Sequence, residues 1–155
     1  MAATTRWLIL TTPEDIEKLM EFDTLCFIER DRVSFEEYIN WLAKGLKIYV
    51  LEDIPSGEWI GSFQIVPEFD EGTYFAGFAV RPNYRRAGFS RVIMNYMIEH
   101  FNQTTDLVCK TRRKNFIMIQ FLKSYGFENK LVDITGPDVW TWWVREPKVN
   151  DRIAV

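Results

Sequence analysis

Apolar positions along this chain recur with two spacings, and the change from one to the other marks out its elements. Thr12-Pro13-Glu14-Asp15 supplies an N-cap, a proline at the first helical position and acids in the first turn, which predicts a helix running to about Phe27. Ser34-Phe35-Glu36-Glu37 has the form of a capping box and opens a second helix, through Tyr38, Trp41 and Leu42, that ends near Gly45. Val92, Ile93, Met94, Met97 and Ile98 repeat at helical spacing and predict a third. Short apolar runs predict strands at 6–11, 47–52, 59–66, 72–80 and 107–110, with a closing pair at 127–134 and 139–144 around Gly136-Pro137. Pro55-Ser56-Gly57 reads as the turn between the second and third of these strands. The resulting order is strand, two helices, three strands, helix, strand, helix, two strands.

Composition narrows the class. With 155 residues and 47% hydrophobic content the chain suits one compact domain, expected over 1–147 with a polar tail at 148–155. A net charge of -3 gives no general basic face for nucleic acid or anionic membranes. The run Trp7-Leu8-Ile9-Leu10 is too short for a signal core or a membrane span, so a cytosolic protein is expected. Cys26 and Cys109 are too few for a disulfide framework and lack zinc-ligand spacing, so they are expected as reduced thiols with no metal site. Aromatic residues make up 15% of the chain, six of them Trp; a dense core, an aromatic acceptor pocket and a homodimer interface are three uses for them.

The most informative stretch is Val80-Arg81-Pro82-Asn83-Tyr84-Arg85-Arg86-Ala87-Gly88-Phe89-Ser90, which joins the strand ending at Val80 to the third helix. The first amides of a helix lack intrahelical acceptors and the helix dipole favours negative charge there, so Gly88, Phe89 and Ser90 can offer N–H groups to a pyrophosphate. Gly88 brings no Cβ to obstruct the approach.

This stretch resembles the signature of the GNAT superfamily of N-acetyltransferases, V-x-P-x-Y-R-x-x-G-x-G/A, at Val80, Pro82, Tyr84, Arg85 and Gly88, with Ser90 in place of the last small residue. Asn115 to Phe127 is similar to the family's second segment, N-x-x-A-x-x-x-Y-x-x-x-G-F, at Asn115, Gly126 and Phe127. Met118 stands where a small residue is usual, and Leu122 where many members carry the tyrosine that protonates the departing thiolate. The resemblance implies an α/β fold with a mixed, mostly antiparallel central sheet of about seven strands flanked by about four helices. It implies acetyl-coenzyme A as cosubstrate and acetyl transfer to a primary amine of a small molecule, peptide or protein. In that fold the fourth and fifth strands splay, the pantetheine arm pairs with the strand edge at Phe78 and Val80, Arg85 and Arg86 join the phosphate turn, and Asn115 contacts the arm. The acceptor pocket is expected from the loop Cys26 to Val33, with Glu29 and Asp31, and from Trp140 to Trp143.

The chemistry needs a neutral amine, a polarised thioester carbonyl and a proton for sulfur. Glu68 and Glu71 precede the fourth strand and are the candidates for base from chain order, against the plainer role of surface acids. The Val80 amide can polarise the carbonyl. Tyr125 lies three residues beyond Leu122 and is a candidate acid, with Cys109 a poorer one; a core or cap role competes for Tyr125. A tyrosine placed at Leu122 is expected to keep or raise turnover if its ring fits. Arg112, Arg113 and Lys114 read first as a solvated charged face, with the 3′-phosphate of the coenzyme as the second use, and His100 as a helix-end residue. A coenzyme-binding or interaction protein with little catalysis is the alternative function, motivated by Leu122 and the aromatic C-terminal strand.

Overall fold

The computed structural model describes residues 4–148, so the tail expected at 148–155 lies outside the described residues apart from Lys148. Among the described residues seven strands and four α-helices form, with strand order β1-β2-β3-β4-β5-β7-β6 in a mixed sheet. The strands are β1 (Thr5–Ile9), β2 (Lys47–Asp53), β3 (Trp59–Ile65), β4 (Thr73–Val80), β5 (Leu107–Arg112), β6 (Glu128–Asp133) and β7 (Trp140–Arg145). The helices are α1 (Pro13–Cys26), α2 (Phe35–Ala43), α3 (Phe89–Phe101) and α4 (Phe116–Ser124). The element order expected from the hydrophobic pattern is the order observed. Two single turns of 3-10 helix, Glu29–Asp31 and Pro82–Tyr84, fall in segments read as loop. Pro82 favours the second, because its ring fixes φ near the helical value.

The chain divides into two compact units, 1–67 with 77–95 and 68–76 with 96–155. In the first, Thr12 caps α1 by accepting from the Asp15 amide at 3.2 Å, and Ser34 and Glu37 complete the capping box of α2. β1 and β3 both pair antiparallel with β2. Ile16, Leu19 and Phe22 of α1 and Tyr38 of α2 bury their side chains with Ile48 and Val50 of β2 and Trp59 of β3. At roughly 25 cal/mol per Å² of apolar surface removed from water, side chains of this size are worth about 1.5–3 kcal/mol each, and their burial holds the two helices on the strands.

In the second unit β4 and β5 run parallel, with register Thr73↔Leu107 and Tyr74↔Val108, while β5 and β6 flank β7 antiparallel. Met97, Leu107, Leu122, Phe127 and Trp143 fill its core. One buried charge is held without an acid: Arg145 Nη1 donates to Asn102 Oδ1 at 2.5 Å and Nε to the Tyr125 carbonyl at 2.7 Å. Asn102 returns a bond to the Arg145 carbonyl at 2.9 Å. Neutral acceptors compensate part of the desolvation, and burial lowers the Arg145 pKa.

A second buried polar group sits in the first unit. Tyr38 donates its hydroxyl to the Asp23 carboxylate, and Gln64 Nε2 donates to the same hydroxyl at 3.4 Å. Burial pushes the Asp23 pKa up to about 6 despite that bond and the charge of Arg32. The folded chain thus holds this proton more tightly than the unfolded chain, and stability declines as pH rises from about 4 through about 6. When fully ionised, Asp23 costs about 3 kcal/mol. We expect Asp23→Asn, which can still accept from Tyr38, to remove this part of the decline when denaturant midpoints are compared between pH 5 and 8. A slope unchanged by the substitution would show that Asp23 ionises normally.

Candidate functional site

The turn expected to hold phosphate is built where β3, the end of β4 and the start of α3 crowd together around Gly61. A Cβ on Gly61 would lie 2.6 Å from Ile93 Cδ1 and 2.7 Å from the Ala79 carbonyl oxygen. No real methyl tolerates either distance, so the bare backbone is what lets Ile93 of α3 reach the strands. Ile93 is fully buried as a result, and it anchors the first turns of α3 beside the end of β4.

Arginines brace the chain leaving β4. Arg81 donates its amide to the Ile60 carbonyl and its Nε to the Trp59 carbonyl, both at 2.7 Å, and its guanidinium lies over the Phe22 ring. Arg85 turns back and donates Nε to the Val80 carbonyl at 2.9 Å. Arg86 then takes φ +64° and Gly88 φ +85°, so the chain twice enters the left-handed region before α3 begins. The Cβ position of Gly88 has no heavy atom within 4 Å, which leaves this side of the turn open. The first intrahelical bond runs from the Val92 amide to the Gly88 carbonyl at 3.2 Å, so the amides of Gly88, Phe89 and Ser90 precede the helical ladder. Tyr84 packs edge-on against Phe89 at 5.7 Å and supports the turn. This open, donor-rich helix start fits an anionic diphosphate.

Residues 16–127 match the model of the acetyltransferase (GNAT) family. The chain belongs to that family. It is therefore an acyltransferase of a family that uses acetyl-coenzyme A. No curated protein matches the sequence. Among solved structures it is similar to the ribosomal-protein-S18-alanine N-acetyltransferase of Escherichia coli, at 15% identity over 90% of this chain and 92% of that one, with a TM-score of 0.74. It is also similar to Ard1 of Thermoplasma volcanium, at 16% identity over 94% and 99% with a TM-score of 0.71. A spermidine N-acetyltransferase of Vibrio cholerae aligns at 14% identity over 92% and 93% with a TM-score of 0.66. At these identities the likeness is one of fold.

The other candidate residues of this GNAT chain take varied positions. Phe78 and Val80 follow Gly77, which has φ +62° inside β4 and whose missing Cβ would lie 2.9 Å from Gln64 Nε2. A left-handed residue mid-strand interrupts the regular pleat just ahead of Phe78. Glycine within an otherwise apolar strand was the available signal for this feature, and the sequence reading did not use it. Asn115 caps α4, its Oδ1 accepting from the Met118 amide at 3.2 Å. Glu68 is exposed with φ +62°, and Glu71 is exposed on a cavity of the second unit.

Tyr125 ends α4: its amide donates to the Leu122 carbonyl at 3.1 Å, its carbonyl accepts from Arg145, and its ring packs on Phe121 at 5.2 Å. Cys109 is buried and burial pushes its thiol well up, so it keeps its proton. Burial also raises Cys26 to about 11, against the pull of Arg85, and removes it as a nucleophile near neutrality. His100 stacks on Tyr96 at 3.9 Å and donates Nδ1–H to that residue's carbonyl at 2.9 Å, a helix-end arrangement. The run Trp140 to Trp143 does not share one face. Trp143 is buried and donates Nε1–H to Thr141 Oγ1 at 2.9 Å, whereas Trp140 and Trp142 alternate to the other side with Lys110 and Arg112.

Two substitutions test this account. Gly61→Ala should lower stability by about 1–3 kcal/mol, as overpacking does, because the Ala79 carbonyl is backbone and cannot step aside. Thermal melts decide it, and an unchanged midpoint would mean that the strands part easily. Leu122 has no exposed surface, so Leu122→Tyr should cost a similar amount and bring no gain in turnover; a stable and faster variant would show that the pocket has room for the phenol.

Proposed function

We propose that this chain transfers acetyl from acetyl-coenzyme A directly to a primary amine of a small molecule or peptide. The observation that carries the reading is the turn at Gly88, open on its Cβ side and lined by helix-start amides. Gly88, Phe89 and Ser90 hold the diphosphate through backbone N–H groups, with Arg86 supplying positive charge. Arg85 acts first as the brace on the Val80 carbonyl and adds its remaining guanidinium donors to the same turn. Phe78 and Val80 pair with the amides of the pantetheine arm, and the Val80 N–H polarises the thioester carbonyl.

Acetyl-coenzyme A supplies the activated acyl group; the amine attacks its carbonyl carbon, the C–S bond breaks, and the nitrogen loses a proton. Glu68 and Glu71 are the two candidate bases; Glu68 has a left-handed backbone, whereas Glu71 does not. Tyr125 retains the acid role as a proposal. A thiol with a reference pKa of about 8.5 also leaves as thiolate with little help, so the aliphatic Leu122 is compatible with turnover. The full burial of Leu122 favours, as a second reading, a coenzyme-binding protein with slow catalysis.

Coenzyme A release measured against polyamines, amino acids, aminoglycosides and N-terminal peptides separates the two: the first reading expects amine-dependent release, the second binding without it. In either case Gly88→Glu should abolish acetyl-coenzyme A binding by calorimetry on folded protein, because a carboxylate then enters the phosphate turn. Unchanged affinity would remove the turn from the cofactor site.

A further inference from the structure

A glycine can take many backbone conformations, so the left-handed kink inside β4 depends on neighbours that select it. Gly77 has φ +62° one residue before Phe78, and a Cβ there would lie 2.9 Å from Gln64 Nε2 and 3.0 Å from Gln64 Cδ. The Gln64 carboxamide thus occupies the space that a side chain at residue 77 would need. Ser62 donates its hydroxyl to the Gly77 carbonyl at 3.4 Å. Ser62 and Gln64 stand two apart on β3 and so line one face of that strand, from which one reaches the carbonyl of Gly77 and the other covers its α-carbon.

A half-buried glutamine rotates about three bonds unless something selects one position for it. Tyr38 of α2 does so. It donates its hydroxyl proton to the Asp23 carboxylate of α1, which leaves the phenolic oxygen to accept, and Gln64 Nε2 donates to that oxygen at 3.4 Å. Tyr38 and Asp23 are 2% and 3% exposed, so the packing of the two helices holds the acceptor still. Asp23, Tyr38, Gln64 and Gly77 form a relay from helix to strand. All four lie in the first unit, as do Phe78 and Val80.

We infer that Gln64, keyed by Tyr38, is a positioning residue that sets the kink of β4 and with it the aim of the Phe78 and Val80 backbone at the pantetheine arm. The inference rests on the pairing of that arm with β4 proposed above. Arg85 fixes the carbonyl of Val80 from one end of this stretch, and Gln64 fixes the other end through Gly77. A shift of about 1 Å takes an N–H···O contact out of hydrogen-bond range, so a kink that relaxes loses bonds to the arm.

The test compares coenzyme A with 3′-phosphoadenosine 5′-diphosphate, which carries the nucleotide and diphosphate but no arm, by calorimetry on the full chain. Gln64→Ala should weaken coenzyme A roughly tenfold, the equivalent of one hydrogen bond, and leave the armless ligand within about twofold, with the melting temperature showing that the fold is kept. Tyr38→Phe should move the ratio of the two affinities in the same direction, and the double variant should lose no more than Gln64→Ala alone. Tyr38→Phe leaves the Asp23 carboxylate without its donor, and if that variant does not fold, Gln64→Ala decides alone. Equal weakening of both ligands, unchanged binding of coenzyme A, or losses that add in the double variant would each overturn the inference. Wild-type protein that binds neither ligand would overturn the cofactor reading and this inference with it, which separates that failure from a failure of Gln64.

Discussion

The close approach at Gly61 is the constraint on which the first unit's chemistry depends. Two strands and a helix meet where a methyl would lie 2.6 Å from Ile93 and 2.7 Å from a carbonyl. Burial of Ile93 therefore does more than fill space. It sets how near α3 comes to the end of β4, and with it where the unpaired start of the helix lies. In the proposed function the amides of Gly88, Phe89 and Ser90 gain their value from that placement, because a helix start attracts an anion only within its first turn.

Conformations that cost free energy are concentrated nearby. Gly77, Arg86 and Gly88 all adopt positive φ within a dozen residues of chain, and Arg86 does so with a side chain. Residues held in sparsely populated regions persist when their surroundings over-determine them. Here Arg81 and Arg85 supply that restraint, bonding to the carbonyls of Trp59 and Val80. A guanidinium suits the task, since its rigid planar fork loses little freedom per bond formed. Arg81 and Arg85 of the motif are thus partly structural.

The second unit solves a different problem. Its sheet has one side closed over Trp143, Leu122 and Phe127, while Trp140 and Trp142 lie on the other. Arg145 secures the closed side through Asn102 and the end of α4, with neutral acceptors. The opposite side is stabilised by cations over indole rings, Arg112 on Trp140 and Lys110 on both tryptophans. Aromatic surface stays accessible there because these cations accompany it without enclosing it.

Much of the fold was legible in the chain because it rests on local rules. The caps at Thr12 and Ser34, the proline at the start of α1, the apolar runs of the strands and the helical spacing before Met97 each act within a few residues. The turn between β4 and α3 was legible for the same reason, since a strand, a short linker, a glycine and a helix follow one another directly. The positive φ of Gly77, the brace from Arg85 to Val80 and the buried pair of Asp23 with Tyr38 were not, because each depends on segments brought together from outside its own element. The roles of Trp140 to Trp143 divided for a geometric reason: strand alternation was fixed by sequence, but which face was covered was fixed by α4 and the core. Sequence by itself determined the elements, their order and the family, through local propensity and motif spacing. Tertiary structure alone decided that Asp23, Tyr38, Gln64 and Gly77 meet, because strand register and packing place residues far apart in the chain side by side.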